Sequence, residues 1–345
     1  FEMLGNFSFG NYFKKEACAW ALELLTERFG FDPERLYYTV YTTDDEAEQI
    51  WLDLGIPSER IYRFGDEDNW WGPAGDEGVC GPSSEINYYR GSFEDVPATD
   101  NPIRKDQWGP NYHDDFVELY NLVFTQFYRS LDGNDTVLPA KNIDTGLGLE
   151  RTLAILNDTG NVYETDAFRP IIEHVEELSG KEWGNDTETD RSIRVVAEHA
   201  RSASFLIGDG VIPGNSGRGY VLRRLIRRGM LFGRELGVDT PMLSELSKTV
   251  SEHMGHAYPE LVGNFEFIEY VLEKEEISFS KTLEFGAQVL AGMIDYRGAN
   301  PDAAEQVKAG KKLKAPLGDD AKAVGISQAI SKIERLVEAG DSVSI

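Results

Sequence analysis

The hydrophobic period changes once along this chain, and that change limits the fold more than any other feature. Up to about residue 157, apolar residues come in short β-branched and aromatic runs: "LYYTVYTT" (36–43), "RIYRFG" (60–65), "EINYY" (85–89) and "VELYNLVFTQFYR" (117–129). Such runs read as strands. Two helical stretches interrupt them, "CAWALELLTERFG" (18–30) and "DDEAEQIWLDLG" (44–55). The second opens on acids, which suits the helix dipole. From about 158 the repeat becomes 3.6 residues. "AFRPIIEHVEELSG", "RSIRVVAEHARSASFLIGDG" and "RGYVLRRLIRRGMLFGRELG" each close on a glycine, a usual helix stop. Two further helices are expected near 241–256 and 264–292. Hairpin-like joins outnumber crossovers in the first part. The pattern predicts an α+β chain: a mostly antiparallel sheet with flanking helices over 1–157, then an all-helical domain over 158–292. Residues 293–345 are expected to hold a polar insertion (295–325), a last helix (326–339) and a strand-like end.

Composition narrows the function. The 345 residues suffice for two domains, and no stretch is long and apolar enough to span a membrane. Two cysteines, Cys18 and Cys80, make neither a disulfide framework nor a zinc spacing and fit a reducing cytoplasm. The formal net charge of −26 argues against nucleic acid as a partner unless cations are gathered locally. The chain starts without Met inside "FEMLGNFSFG" and stops at "GDSVSI", so a piece of a longer protein is expected.

Four stretches carry chemistry. In "NIDTGLGLER" (142–151), Asp144 is expected at the end of a strand, Gly146 and Gly148 let a ligand approach the backbone, and Arg151 opens a helix. An acid and an arginine across a glycine gap suit an ammonium beside a phosphate or a planar base. A plain strand-to-helix turn with a salt-bridged acid fits equally well. In "FEMLGNFSFGNYF", six of thirteen residues are aromatic or Met; most suit a core hairpin, and one or two suit the wall of an adenine site. "GVCGPSSEINYY" is a rigid loop feeding a strand, and Trp70 and Trp71 before it suit packing. In "NSGRGYVLRRLIRRGMLFGR", five arginines, Arg218, Arg223, Arg224, Arg227 and Arg228, fall within eleven residues. Arg223 with Arg227 and Arg224 with Arg228 form adjacent rows on one flank, while Leu222, Leu225 and Ile226 supply the buried flank. No acid lies between Arg218 and Arg234, which favours a phosphate surface over a solvated face paired with acids. The five histidines suggest neither a hydrolase triad nor a metal site, and no Walker or dinucleotide glycine motif occurs.

In this order, these stretches resemble the alanyl-tRNA synthetase family of class II aminoacyl-tRNA synthetases. "FEMLGNFSFGNYFKK" looks like the end of its motif 2 strand and the segment after it. "DNWW…GVCGPSSEINYYRG" and "ELYNLVFTQFYR" are similar to its D-N-F-W…G-P-C-G-P-C-S-E-I and E-I-W-N-L-V-F-M-Q-F blocks, "NIDTGLGLER" to its motif 3, and "RVVAEHARSASFLIGDGVIPGNSGRGYVLRRLIRR" to its tRNA-recognition helices. The blocks cover residues 1 to about 235.

The resemblance implies ATP- and magnesium-dependent activation of alanine to alanyl-adenylate, then transfer to tRNA(Ala) in the cytoplasm. Carried onto matching positions, Asp144 would hold the substrate ammonium with help from Asn121, and Gly146 would leave room beside the alanine. Arg151 would stack on adenine or meet the phosphates. Phe1 would take the other ring face, with Met3 and Gly148 also in the ATP site. Asn215 and the arginines from Arg218 to Arg228 would face the acceptor stem. Tyr120 replaces the family's Trp, so the resemblance implies a reshaped aromatic wall in the alanine pocket; Ser83 replaces a Cys. The motif 2 arginine would precede Phe1. An editing domain with its zinc, and a region allowing a homo-oligomer, would follow Ile345. A catalytically silent tRNA-binding paralogue is the alternative.

Overall fold

The computed structural model describes residues 1–299 except 102, 104–106, 239 and 240, with side chains described to residue 286. The chain divides into two compact units, Phe1–Ile172 and Glu173–Ile345.

The first unit opens with β1 (Met3–Leu4), β2 (Phe7–Phe9) and α1 (Lys14–Glu23), which runs on through a π-helical turn to Arg28. Then come β3 (Leu36–Tyr41), α2 (Asp45–Asp53), β4 (Ile61–Phe64), α3 (Asp66–Asn69) and β5 (Trp70–Trp71). Two long hairpin strands come after β6 (Gly78–Tyr89): β7 (Phe116–Arg129) and β8 (Asp135–Gly148), with α4 (Leu149–Leu156) leaving the last. The sheet order is β1-β8-β7-β6-β3-β4, with β2 also on β8 and β5 on β6. Only β3 and β4, linked through α2, pair in parallel; the other pairings are antiparallel. The expected α+β sheet is therefore present.

Strand alternation sorts the side chains onto two faces. Tyr38, Val40, Ile86, Leu122, Phe124, Ile143 and Leu147 point one way and form the main core with Ala17, Cys18 and Leu25 of the α1 segment and Trp51 of α2. A buried ion pair, Lys14 Nζ to Asp44 Oδ1 at 2.6 Å, links the start of α1 to Asp44. The same Asp44 oxygen caps α2 by accepting from the Ala47 N–H at 3.1 Å. On the opposite face a smaller aromatic cluster of Tyr37, Tyr62, Phe64, Tyr89 and Trp108 covers the end near β3 and β4. The rest of that face includes polar side chains, among them Asn121 and Asp144, with Val123 and Met3 beside them.

Two local expectations are corrected. The glycine-rich stretch before "EINYY" is strand from Gly78 onward, not loop. Its register slips between Cys80 and Ser83, and a Cβ on Gly81 would lie 2.1 Å from the Phe124 carbonyl oxygen. A backbone approach that close requires glycine. Asp144 does not end its strand, since β8 continues to Gly148 with Asn121 opposite Gly146. Gly146 interrupts nothing; a Cβ there would meet Met3 Sδ at 2.8 Å, so the missing side chain is filled by the thioether from β1.

The second unit is helical. α5 (Arg169–Ser179) crosses the division, followed by α6 (Thr187–Gly208), α7 (Gly217–Glu235), α8 (Leu243–Met254), α9 (Pro259–Gly263) and α10 (Phe265–Ala299). Asp186 caps α6 by accepting from the N–H groups of Glu188 and Thr189. The start of α8 is held differently. The buried Glu276 carboxylate on α10 accepts from the N–H groups of Met242, Leu243 and Ser244 at 2.9, 2.9 and 3.0 Å, three donors that a helix start leaves without partners. The expected insertion at 295–325 is helix over its first five residues; its remainder and the expected helix at 326–339 lie outside the described residues. No helix among the described residues is long and apolar enough to cross a membrane.

Candidate active site

The open face of the sheet gathers most of the residues expected to bind substrate. Asp144, Gly146 and Gly148 alternate along β8 and share a face with Asn121 on β7, because Asn121 pairs with Gly146. Met3 joins them through its pairing with Gly148. Asp144 is half-buried, and its carboxylate has no hydrogen-bond or ion-pair partner among the described residues. Burial pushes its pKa above the ordinary aspartate value. An uncompensated, partly desolvated carboxylate is suited to receive a cation.

Asn121 donates Nδ2–H to Glu85 Oε1 at 3.1 Å, while its Oδ1 is buried without a protein partner. Glu85, on β6, belongs to a network that the sequence motifs alone did not bring out. Thr39 Oγ1 accepts from Asn69 Nδ2 at 2.8 Å and from the Glu85 N–H at 3.2 Å. Its own hydroxyl proton goes to Glu85 Oε2 at 3.2 Å. Burial, with the Glu118 carboxylate nearby, pushes Glu85 up to about 7. A sequence signal existed: in "SSEINYY", Glu85 and Asn87 alternate with Ile86 and Tyr88, which places two polar side chains on one face of a buried strand.

Beside this row lies a cleft of about 420 Å³ lined by polar groups, among them Asn87, Asn111, His113, Glu118 and Arg151. Arg151, on the first turn of α4, donates Nη1–H to the Glu118 carbonyl at 3.0 Å and to its Oε2 at 2.9 Å. The guanidinium is thus held along β7, half-exposed, with part of its donor fork free for a ligand. The start of the chain is tied to the same helix, because the Glu2 N–H donates to both oxygens of the buried Glu150 carboxylate at 2.9 Å.

Two expected residues lie elsewhere. Tyr120 points to the opposite face, buried in the core, where its hydroxyl donates to Asn6 Oδ1 at 2.6 Å and lies 3.3 Å from Thr145 Oγ1. It shares no pocket with Asp144. Phe1 is 86% exposed, and no packing among the described residues fixes its ring. Among the described residues no cluster of His, Cys, Asp and Glu is arranged to hold a metal ion.

In the second unit, α7 presents the arginines in two unequal rows. Leu222 and Ile226 are buried and Leu225 half-buried, as the spacing predicts. The absence of acids within the helix does not leave all its cations free. Arg227 donates Nε–H and Nη2–H to Glu275 Oε1 of α10 at 3.0 and 2.8 Å, and Arg223 Nε lies 3.1 Å from the same oxygen. Arg223 also donates to Asn215 Oδ1, so both expected groups are engaged within the protein. The other row is differently placed. Arg224 lies over Tyr220, Arg228 over Phe232 and 3.3 Å from His199 Nε2, and Arg218 is exposed.

A mostly antiparallel sheet with an acid–glycine–arginine strand-to-helix junction on its open face defines a class II synthetase type of catalytic unit. The chain belongs to that family: the model of class II (A) tRNA synthetases matches residues 1–306. Its similarity is to proteins named alanine–tRNA ligase. The relative from Dehalococcoides mccartyi is 49% identical over 295 residues, covering 85% of this chain and 33% of its own length. Those from Natranaerobius thermophilus and Thermotoga maritima are each 47% identical, covering 86% of this chain and 33% and 34% of their own. The chain spans about a third of the length of the curated relatives it matches.

Proposed function

We propose that the protein carrying this chain is an alanine–tRNA ligase, activating alanine with ATP and transferring it to tRNA(Ala). The observation that carries the reading is the partnerless Asp144 carboxylate set beside Asn121 and Gly146, one strand from the Arg151 cleft. The names of the relatives support alanine as the amino acid.

The chemistry follows from charge. The alanine carboxylate attacks the α-phosphorus of ATP and expels pyrophosphate. It is ionised at neutral pH, so no general base is required, and the difficulty is bringing two anions together. Positioning and electrostatic neutralisation are therefore the main catalytic devices. Asp144 holds the ammonium, with Asn121 Oδ1 as a second acceptor. Gly146 keeps the space beside the amino acid shallow, bounded by Met3. Arg151 meets the nucleotide from the cleft. Gly148 borders the same nucleotide. Magnesium would arrive on the ATP phosphates. Arg224, Arg228 and Arg218 would contact the tRNA backbone.

The test is alanine-dependent ATP–pyrophosphate exchange by the full-length protein. Exchange with alanine and not with larger amino acids is expected; ATP binding without exchange would overturn the reading. Full-length protein that binds tRNA with a steep salt slope but never activates alanine would favour a silent tRNA-binding paralogue instead.

A further inference from the structure

We propose that Glu85 is a positioning residue: it orients the Asn121 amide so that its Oδ1, rather than its NH2 group, faces the substrate ammonium. This rests on the alanine-ligase reading of the same site. The polarity of the network carries it. Thr39 Oγ1 accepts from Asn69 and from the Glu85 backbone, so its single proton can only be given to Glu85 Oε2. Asn121 Nδ2 donates to the other oxygen, Oε1. The strong contacts of the Glu85 side chain therefore run into an acceptor, as an ionised carboxylate requires. Asn87 makes a weaker contact that also favours the anion.

An asparagine amide has two nearly isosteric orientations, and its hydrogen bonds choose between them. With Nδ2 drawn to Glu85, the buried Oδ1 is the atom left without a partner. It lies on the face where Asp144 also lacks one. Two acceptors on adjacent strands then share one face of the sheet, where a single donor group would serve both. If Glu85 takes a proton, it becomes a donor, and the amide gains by turning Oδ1 toward it. The NH2 group would then meet the ammonium, donor against donor.

The charged groups around Glu85 set the direction of the pH response. Glu118 on β7 and Asp68 on α3 both raise its pKa, and Glu118 is itself paired with Arg151. Asp144, on the same face, also titrates above its ordinary value. Alanine use should therefore fall as pH drops through about 7, from Glu85.

The experiment is kcat/KM for alanine in ATP–pyrophosphate exchange from pH 6 to 8.5, at saturating Mg-ATP, with the full-length protein and its Glu85→Gln and Glu85→Ala variants. The free-enzyme pKa appears in kcat/KM. The unsubstituted protein should lose kcat/KM about tenfold per pH unit below the Glu85 titration, mostly through KM. Glu85→Gln should remove that step and raise the alanine KM at pH 8 about tenfold, with kcat and ATP KM little changed; Glu85→Ala should raise it further. A flat profile in the unsubstituted protein, or a Glu85→Gln variant with unchanged KM and profile, overturns the inference. So does a loss confined to kcat. If the Ala variant does not fold, the unsubstituted profile and the Gln variant still decide. Absence of any exchange by the unsubstituted protein instead overturns the alanine-ligase reading itself.

Discussion

Asp144 is placed at a cost to the fold. Its pKa is raised by burial, so the native state holds a proton more readily than the unfolded chain. Stability then falls as pH rises from the ordinary aspartate range through the raised value. Glu85 behaves alike, from 4.5 to about 7, a penalty of roughly 3 kcal/mol above that range. Asp144→Asn should therefore separate stability from function. At pH 7.5 its Tm is expected to be equal to or above that of the unsubstituted protein. The alanine KM should rise about tenfold to a hundredfold when the charged hydrogen bond is removed. Thermal unfolding and exchange kinetics on the same preparation check both. A lower Tm would show that the carboxylate has a structural partner.

At the scale of single elements, the helix start built from a distant residue makes the clearest prediction. Glu276 supplies the acceptors for three N–H groups at the start of α8. Glu276→Ala buries those donors unpaired and should destabilise the helical unit by about 2–4 kcal/mol. Urea unfolding followed by circular dichroism measures this, and a change under about 1 kcal/mol would contradict it. Such long-range pairings also mark where the sequence stopped being informative. Element type was legible from local period: β3, β4, β7, α2 and α7 fall where alternation or the 3.6 repeat places them. The strand character of 78–83 was not, because glycine and proline signal turns locally, and only the Phe124 backbone across the sheet explains why Gly81 stays in a strand. The site divides the same way. Asp144, Asn121, Gly146 and Arg151 were legible as residue types in motifs. That Tyr120 faces the core while Asn121 shares the opposite face with Asp144 depends on strand register. The pairing of Arg227 depends on an acid 48 residues away.

At the scale of the whole molecule, a net charge of −26 opposes any polyanion, and only a local field can overcome it. The two arginine rows of α7 should then separate in experiment. Replacing Arg224 and Arg228 by Ala should weaken tRNA binding and lower the slope of log K against log salt by roughly one for each phosphate no longer neutralised. Arg227→Ala should act mainly on stability, since it removes a cation from the buried Glu275. Binding isotherms across a salt series, with melting curves, distinguish the two; equal slopes for all three variants would show that the rows are equivalent. The one-sided sheet has a last consequence. In the first unit α1 and α2 pack on one face, while the other carries, beside its aromatic cluster and α3, polar atoms such as Asn87 Nδ2 and Asn121 Oδ1 that no protein group satisfies. Nucleotide and amino acid would then act as a removable layer of the architecture. Substrate occupancy would be an event of folding as much as of recognition.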